Sequence, residues 1–419
     1  MKVLVVGSGG REHAICWKLA QSPKVAELYC APGNGGIAQL AQCVDVKATD
    51  VDGMVKWAKD NAMDFVVVAP DDPLALGMVD ALEAVGIPAF GPRANAAIIE
   101  ASKAFSKELM KKYHIPTARY ETFTDLDKAR AYIQEQGAPI VVKADGLALG
   151  KGVVVAATVD EAKTAAREMM ADKKFGESGS TVVIEECMTG PEVTVLAFAD
   201  GEHVCPMPAS QDHKRAYDGN RGPNTGGMGA VSPPPQYAPD MAKRCMDEIF
   251  LPTIRALKAE GRPFQGAIYF GLMLTPEGPK VVEYNARFGD PECQAVLSLL
   301  DSDLMDIFTA CREGTLDRLD IRWKDRAACC LVLASGGYPL DYKKGHPISG
   351  LEEAGRSAVV FHAGTKLGEN GEYLTNGGRV LGVTALGDTL DQAIAAAYAA
   401  AKPITFQDMH FRTDIGHAF

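Results

Sequence analysis

Short runs of aliphatic residues alternate with helical stretches in the first hundred residues of this 419-residue chain. The runs KVLVV, FVVVAP and IPAFGP have the composition of strands, and the stretches at 11–21 and 73–85 have helical patterns. Strands of nearly continuous Val and Ile are buried on both faces, as in parallel sheets that helices cover. The chain is therefore predicted to be an α/β protein that opens with a parallel-sheet domain.

Changes in this pattern divide the chain into three predicted domains, at 1–101, 102–325 and 326–419. The middle domain contains a small strand-rich lobe at about 120–190, which we expect to form a subdomain of its own. The last segment again mixes strands, such as AACCLVLAS and RVLGVTALG, with an Ala-rich helix at 390–401. We expect a C-terminal α/β domain there.

Individual elements can be placed inside the middle domain. Helical patterns lie at 102–113 and 126–136, with a strand between them at 120–123. The polar stretch at 210–235 has no regular pattern, and loops of that length in compact domains are usually functional or disordered.

Composition narrows the class of function. The chain has 43 basic and 54 acidic side chains, a net charge of -11, which argues against general binding to nucleic acid or to anionic membranes. No run approaches the ~20 apolar residues that span a bilayer. The ten cysteines form no C-x-x-C pair, so reduced thiols in a cytoplasmic protein fit better than zinc or disulfides. We expect small-molecule partners.

The first glycine cluster is GSGGREHA, directly after the opening strand. Gly7, Gly9 and Gly10 allow a tight turn whose bare N–H groups at a helix N-terminus suit an anion. A dinucleotide is disfavoured because Glu12 stands where a third glycine would be, and no acidic residue follows the second strand. The turn could instead hold another phosphate or no ligand at all, and an NAD-dependent dehydrogenase remains a rival enzyme.

The second glycine cluster, ADGLALGKGVVVA, contains Gly146, Gly150, Lys151 and Gly152. It differs from a P-loop because three residues separate its first glycines and a strand follows it. A glycine hairpin between strands can close over phosphates, with Lys143 on the preceding strand adding a fixed charge. The alternative is an ordinary hairpin with exposed lysines.

The third cluster, VVEYNARFGDPE, places Glu283 and Asn285 on one face of a strand, with Arg287 next on that side if the strand continues. Carboxylate and amide oxygens suit magnesium. An arginine fork can bind a phosphoryl group bidentately. A solvated polar face fits poorly, because the strand is otherwise rich in Val and Tyr.

The fourth cluster is the loop SQDHKRAYDGNRGPNTGGMG, which carries Asp212, His213, Lys214, Arg215 and Arg221 among many glycines. No hydrolase motif is present in it. Such a loop could wrap a small polar substrate, or it could be a mobile surface loop.

Four segments in this order, SKAFSKELM, VVKADGLALGKGVVVA, QDHKRAYDGNRGPNTGGMGA and EYNARFGDPE, resemble the diagnostic segments of the glycinamide ribonucleotide synthetase family. The similarity runs over the whole chain, through APGNGGIA, ASGGYP and NGGRVLGVTALG to FRTDIGHAF. It implies an ATP-grasp fold with a Rossmann-like N-terminal domain and a lid subdomain. It also implies an ATP-dependent ligase that joins glycine to phosphoribosylamine early in purine biosynthesis.

The resemblance also implies roles for residues. Those expected to bind ATP are Lys103, Lys143, Gly146, Gly150, Lys151, Gly152, Glu185, Glu186, Cys187 and Glu192. Those expected to hold the other substrates are Gly9, Gly10, Arg11, Asn34, Gly35, Asp71, Asp212, Lys214, Gly226, Gly227, Arg287 and Asp290, the N-terminal ones taking the ribose phosphate. Glu283 and Asn285 would ligate magnesium, or manganese in its place, and the expected catalytic residues are Arg287, Lys143, Asp290, Asp212 and Lys214.

Two positions depart from the family pattern. Asp71 stands in A-P-D where G-P-E is expected, and Asn220 stands in D-G-N where D-G-D is expected. The shorter arm of Asp71 puts its ribose contact in question.

We expect a monomer. The working hypothesis for the reaction is that the enzyme forms glycyl phosphate, which the amine of phosphoribosylamine then attacks. Two rival hypotheses keep the same fold. One is a sensor that binds nucleotide without turnover, and the second is a related ATP-grasp carboxylase.

Overall fold

The computed structural model describes residues 1–147 and 152–417. Its first segment contains β1 (Lys2–Gly7), α1 (Gly10–Leu19), β2 (Glu27–Pro32), a 3-10 turn (Ile37–Gln39), β3 (Gln42–Cys43), α2 (Val51–Asp60), β4 (Phe65–Val68), α3 (Asp71–Ala75), α4 (Met78–Ala84), β5 (Ala89–Phe90) and α5 (Ala94–Ala101). The five strands form a parallel sheet in the order β3-β2-β1-β4-β5. Every residue of β4 is buried, so the aliphatic runs correctly predict a sheet covered on both faces.

The single helix predicted at 73–85 is wrong. The chain forms α3 and α4 there, and Gly77 separates them with a φ of 82°. A residue in this left-handed region cannot continue a right-handed helix, and glycine adopts it at little cost. Asp71 is the first residue of α3, at the carboxyl edge of the sheet.

The small lobe is a separate unit with its own core. It follows α6 (Lys103–Lys112) and contains β6 (Tyr120–Phe123), α7 (Leu126–Gln136), β7 (Ile140–Ala144), β8 (Val153–Ala156), α8 (Val159–Met170), a 3-10 turn (Gly176–Gly179) and β9 (Val182–Glu186). Its antiparallel sheet has the order β6-β9-β7-β8, and α7 and α8 bury alanine-rich faces against it. Asp125 and Thr158 cap the two helices. The elements predicted at 120–123 and 126–136 are confirmed.

The large lobe follows with β10 (Glu192–Asp200), β11 (Val204–Pro206), β12 (Gln211–Asp212), β13 (Arg215–Tyr217), β14 (Arg221–Asn224), β15 (Gly229–Ser232), α9 (Pro239–Cys245), a π-helical turn (Met246–Phe250), α10 (Leu251–Ala259), β16 (Gln265–Thr275), β17 (Gly278–Asn285), α11 (Glu292–Ser298), α12 (Leu304–Glu313) and a 3-10 turn (Leu316–Arg318). Its antiparallel sheet has the order β11-β10-β16-β17. The prediction that 210–235 lacks regular structure is wrong, because four short strands, β12 to β15, form there.

The C-terminal segment contains β18 (Ala327–Ser335), α13 (Leu351–Ala354), β19 (Val359–His362), β20 (Thr365–Leu367), β21 (Tyr373–Thr375), β22 (Arg379–Gly387), α14 (Leu390–Ala401) and β23 (Met409–His410). Its sheet has the order β12-β15-β18-β22-β19, with β23 beside β18. Two strands of the polar stretch therefore belong to the C-terminal sheet. Strand pairing between distant segments does not follow from a local pattern, which explains why these strands were not predicted.

The first and last segments also pack directly on each other. The backbone N–H of His362 donates to Nδ1 of His13 over 2.7 Å, and both imidazoles are buried. Burial and the neighbouring His362 lower the pKa of His13 to about 3, and burial lowers that of His362 to about 4. In the described part of the chain, no helix combines the length and apolar character that crossing a membrane requires.

We expect the free energy of unfolding to fall as the pH drops from about 6.5 toward 4. An unfolded histidine has a pKa of about 6.5. Between that pH and the lower folded pKa values, the unfolded chain binds more protons, so acid favours unfolding. His13→Asn keeps an acceptor for the His362 N–H without an imidazole that titrates. Urea unfolding at stepped pH measures the free energy of unfolding. Its decrease with falling pH should be smaller in this variant than in the wild type or in the exposed-site control His417→Asn. An equal pH dependence in all three proteins would contradict the assignment of this effect to His13.

Candidate functional site

A cleft of about 770 Å³ lies where the three segments meet the small lobe. Charged side chains from every segment line it: Arg11, Asp71, Glu100, Lys103, Lys107, Lys143, Glu185, Glu192, Asp212, Lys214, Glu283, Arg287, Asp290, Glu292 and Arg379. Most of these residues were singled out by the sequence motifs. Glu100, Lys107, Glu292 and Arg379 were not, although each lies in or beside a motif.

A buried network of three charges joins the small lobe to α6. Lys107 Nζ donates to Glu185 Oε2 over 2.5 Å and to Thr117 Oγ1 over 2.8 Å. Lys143 Nζ contacts the other oxygen of Glu185 and donates to the Val282 carbonyl over 3.1 Å. The side chains of Lys107 and Glu185 are only 3% and 2% exposed, so neither charge relies on water.

The network keeps Glu185 ionised. Burial alone would raise the pKa of Glu185, but Lys143 and Lys107 hold it below its usual value. Burial lowers the pKa of Lys107 to about 8 in spite of Glu185. The sequence points to Lys143 and Glu185. It does not point to Lys107, which cannot be told from the other lysines of the amphipathic helix α6 by sequence.

The start of the glycine hairpin is docked on the same helix. Asp145 accepts hydrogen bonds from Ser102 Oγ over 3.2 Å and from the Ala104 N–H over 3.1 Å, at the N-terminus of α6. Lys103 Nζ donates to the Gly146 carbonyl over 2.8 Å, and burial lowers the pKa of Lys103. The predicted ATP residues Gly150 and Lys151 lie outside the described residues.

The predicted adenine and ribose residues follow on β9 and at the start of β10. Glu186 Oε1 and Oε2 accept from the backbone N–H and Nε of Arg119 over 3.1 and 2.9 Å. Cys187 is half-buried and lines the cleft next to it. Glu192 Oε1 is 2.7 Å from Lys214 Nζ. Gly152, at the far end of the hairpin, also lines the cleft.

The predicted metal ligands lie at the end of β17. Glu283 is opposite Gly271, where the register between β16 and β17 shifts, and Asn285 is the last residue of the strand. Asn285 Nδ2 donates to the Tyr284 carbonyl over 2.7 Å, so its amide oxygen is the atom that a metal would take. Burial would raise the pKa of Glu283, but Lys214, Lys143 and Lys103 hold it below its usual value. A carboxylate and an amide oxygen in a polar cleft fit a hard divalent cation.

Arg287 leaves the strand and contacts two carboxylates. Arg287 was expected on the strand face of Glu283 and Asn285 only if the strand continued. The strand β17 ends at Asn285, so Arg287 is not part of that face. Arg287 Nη2 is 2.9 Å from Glu100 Oε1 and 3.9 Å from Asp71 Oδ2. The other oxygen of Glu100 accepts from the Ala286 N–H over 2.7 Å. Glu100 therefore orients Arg287, and the departure at Asp71 is close to the same guanidinium.

Two carboxylates, Asp212 and Glu292, lie near each other on the other side of Lys214. Burial and the charge of Glu292 raise the pKa of Asp212 well above its usual value, and burial also raises that of Glu292. Among the described residues, none donates to Asp212 Oδ1, which is shielded from solvent. A Cβ on Gly227 would lie 2.5 Å from this oxygen, so a side chain cannot fit there. The pair can bind a primary ammonium group.

Asp290 joins the three segments. Its Oδ2 accepts from the Arg11 N–H over 3.1 Å, its Oδ1 accepts from Gln294 Nε2 over 2.8 Å, and Arg379 Nη1 is 3.5 Å away. Burial would raise the pKa of Asp290, but Arg379 and Arg11 hold it below its usual value. Arg379 belongs to the C-terminal segment. The motif NGGRVLGVTALG contained it but did not indicate that it reaches the cleft.

The N-terminal glycine turn is built into a contact between segments. The Gly9 N–H donates to Glu12 Oε2 over 2.6 Å, and the Gly35 N–H donates to the Thr365 carbonyl over 3.3 Å. Asn34 Nδ2 donates to the Ser8 and His362 carbonyls over 2.9 and 2.8 Å. A Cβ on Gly10 would be 2.5 Å from Gln294 Nε2.

Of the five residues expected to hold a ribose phosphate, Arg11 lines the cleft. The phosphate-binding role of the other four, Gly9, Gly10, Asn34 and Gly35, stays a prediction. The second departure from the family pattern is outside this turn: Asn220 Oδ1 accepts from Arg412 Nη2 over 3.0 Å, which holds the loop to the C-terminal segment.

Family models match the chain in three consecutive blocks. They are described as the N domain (1–100), the ATP-grasp (A) domain (101–293) and the C domain (328–418) of phosphoribosylglycinamide synthetase. The resemblance found in the motifs is confirmed.

Curated relatives and solved structures agree with these models. The chain is 49% identical over 421 residues to phosphoribosylamine–glycine ligase of Vibrio vulnificus strain CMCP6, covering 100% of this chain and 98% of the relative. It is 50% identical to that of Halalkalibacterium halodurans, covering 99% and 96%. The crystal structure of phosphoribosylamine–glycine ligase from Thermotoga maritima matches with a TM-score of 0.88 and 31% identity, covering 99% of this chain and 100% of that chain.

A biotin carboxylase of Campylobacter jejuni shares the fold alone. It matches with a TM-score of 0.75 at 15% identity, covering 98% of this chain and 92% of that chain. The predicted ATP-grasp α/β fold is therefore confirmed.

Replacing Lys107 tests the buried network. Lys107→Met leaves Glu185 with one lysine instead of two in a site closed to water, and we expect a loss of about 2–4 kcal/mol in the free energy of unfolding. Chemical denaturation measures this loss. Lys111→Met, on the exposed face of the same helix, is the matched control and should change stability by under about 0.5 kcal/mol. Equal losses in the two variants would mean that the network does not stabilise the lobe.

Proposed function

The chain belongs to the phosphoribosylglycinamide synthetase family, and we propose that it uses ATP to join glycine to 5-phosphoribosylamine. The products are glycinamide ribonucleotide, ADP and phosphate, in an early step of purine biosynthesis. One observation carries the proposal: the lysines, the Glu283–Asn285 pair, the arginines and a pair of buried carboxylates all line one cleft. A ligase needs groups for a triphosphate, a metal, an ammonium and a second anion together.

The ATP end of the cleft is proposed at α6 and the small lobe. Lys103 and Lys143 would contact the phosphates, with the hairpin from Gly146 to Gly152 closing over them. Glu185, Glu186 and Cys187 would border the adenine, and Glu192 would hold the ribose hydroxyls. The Glu185 network supports this arrangement, because the contact with Glu185 holds Lys143 in place without an anion of the substrate.

Glu283 and Asn285 would hold magnesium, and manganese could take its place. The lowered pKa of Glu283 supports this role, because a metal ligand must be ionised. When bound, the cation supplies positive charge that offsets the repulsion between a carboxylate and a triphosphate. Lys214, 3.6 Å from Glu283, supplies part of that charge from the protein itself.

The proposed chemistry has two steps. A carboxylate oxygen of glycine attacks the γ-phosphorus of ATP, and ADP leaves, which gives glycyl phosphate. The amine of phosphoribosylamine then attacks the carbonyl carbon, and phosphate leaves with one former glycine oxygen. Arg287 and Lys143 would stabilise the charge on the transferred group. Asp212, Lys214, Asp290 and the glycines at 226–227 would place the glycine.

A monomeric enzyme is proposed as well, and it stays a prediction. A cytoplasmic location is proposed because all ten cysteines are unpaired thiols, as expected in a reducing compartment.

The function is tested by glycine-dependent ADP formation with phosphoribosylamine generated in place. We expect ADP only when glycine and phosphoribosylamine are both present, because the acyl phosphate must be consumed for turnover. Glycine labelled with oxygen-18 in its carboxylate should deliver label to the released phosphate, detected by mass spectrometry. Absence of ADP would contradict the ligase, and ADP with unlabelled phosphate would contradict only the acyl phosphate step.

The metal site is tested by Glu283→Gln, which keeps the size of the side chain but removes its charge. We expect turnover to fall about 100-fold or more, with partial recovery at high magnesium and little change in melting temperature. Glu277→Gln, at the exposed turn before the same strand, is the matched control and should stay within about twofold. Near-normal turnover of Glu283→Gln at limiting magnesium would remove Glu283 from the proposed ligands.

A further inference from the structure

One edge of the Arg379 guanidinium is fully used inside the protein. Nη1 donates to the Gly226 carbonyl over 2.8 Å and to the Asp290 carbonyl over 2.7 Å, with the Gly227 carbonyl 3.4 Å away. The loop is also held from its other side, because the Gly226 N–H donates to Tyr338 Oη over 2.9 Å. Arg379 is thereby fixed in place at the start of β22.

The other edge of the same guanidinium is formed by Nε and Nη2, and Arg379 is one of the residues that line the cleft. In the described part of the chain, no residue accepts a hydrogen bond from Nε or Nη2 of Arg379, and neither nitrogen is sealed from solvent. The side chain is 22% exposed and lines the cleft. Two parallel N–H groups on a fixed plane are the geometry that binds phosphate bidentately.

The glycine turn at the start of α1 is a poorer phosphate site. Glu12 accepts the Gly9 N–H, and Asp290 accepts the Arg11 N–H, so carboxylates already take donors that a phosphate would need. A phosphate bound in this region of the cleft needs a different cationic group.

The charges around Arg379 separate it from the ATP end. The acidic groups that act on Arg379 are Asp290, Asp212 and Glu292. Those that act on Lys103 are Glu283, Asp145 and Glu100. The two cations thus have different charged neighbours, and an anion at Arg379 is a second anion, distinct from the triphosphate.

We propose that the Nε–Nη2 edge of Arg379 binds the 5-phosphate of phosphoribosylamine, so that the C-terminal segment completes the substrate site. The proposal rests on the proposed function. Arg11 contacts the same carboxylate through its backbone N–H, while its guanidinium pairs with Glu12. Arg379 both holds the Gly226 loop and binds the anion.

Ribose 5-phosphate is a stable probe for this subsite, and its binding can be measured by isothermal titration calorimetry. Wild type should bind ribose 5-phosphate, and ribose without the phosphate should bind at least about tenfold more weakly. Arg379→Met should weaken binding of ribose 5-phosphate by about 10- to 100-fold, and Arg379→Lys by less, because lysine keeps the charge and loses the fork.

Tyr338→Phe is the matched control for the positioning role. It removes the hydroxyl that accepts from the Gly226 N–H but leaves the guanidinium, so ribose 5-phosphate affinity should stay within about threefold. Titrations with glycine and with a non-hydrolysable ATP analogue distinguish other anions and show that the variants are folded. The ATP analogue should bind Arg379→Met as it binds wild type.

Three outcomes would overturn the proposal: no ribose 5-phosphate binding by wild type, undiminished binding by Arg379→Met, or an equal loss in Tyr338→Phe. Loss of glycine or ATP-analogue binding in Arg379→Met, with ribose 5-phosphate binding kept, would assign the arginine to that other anion instead. None of these results depends on turnover. They therefore leave the ligase activity itself to the ADP assay.

Discussion

A single carboxylate, that of Asp290, is where the three segments of the chain are joined. It receives a backbone N–H from α1, a side-chain amide from α11 and the positive charge of Arg379 from β22. A buried carboxylate is stable only when such partners surround it, because desolvation without them costs several kcal/mol. The cleft therefore exists in its described form only when the N-terminal and C-terminal segments are both docked on the large lobe.

Contacts between opposite charges recur along the cleft, some of them buried and some partly exposed, and they suit polyanionic substrates. Lys107 and Lys143 share Glu185, and Lys214 lies between Glu192 and Glu283. Each carboxylate offsets part of the cost of removing a lysine ammonium group from water. A triphosphate can then meet fixed positive charges that need little rearrangement, which is the condition for electrostatic stabilisation of phosphoryl transfer.

Much of the fold could be predicted because its elements have clear local signals. The aliphatic runs of the first segment, the capped helix at 126–136 and the Ala-rich helix at 390–401 all appear where their patterns indicate. The helix predicted at 73–85 fails at Gly77, whose backbone conformation breaks it. The stretch at 210–235 fails for another reason, because β15 pairs with β18, about a hundred residues away, and β12 pairs in turn with β15. A polar strand without a buried alternating face has no local signature.

The sequence by itself determined the family and most of the order of the elements, and its motifs singled out residues such as Lys143, Glu283 and Asn285, whose roles are proposals. These follow from local composition and from spacing along the chain. Only the tertiary structure decided that Lys107 shares Glu185, that Glu100 orients Arg287 and that Arg379 reaches the cleft. Each of these is a contact between residues tens or hundreds of positions apart. Their energies depend on distance and burial in three dimensions, and neither quantity is encoded in the spacing along the chain.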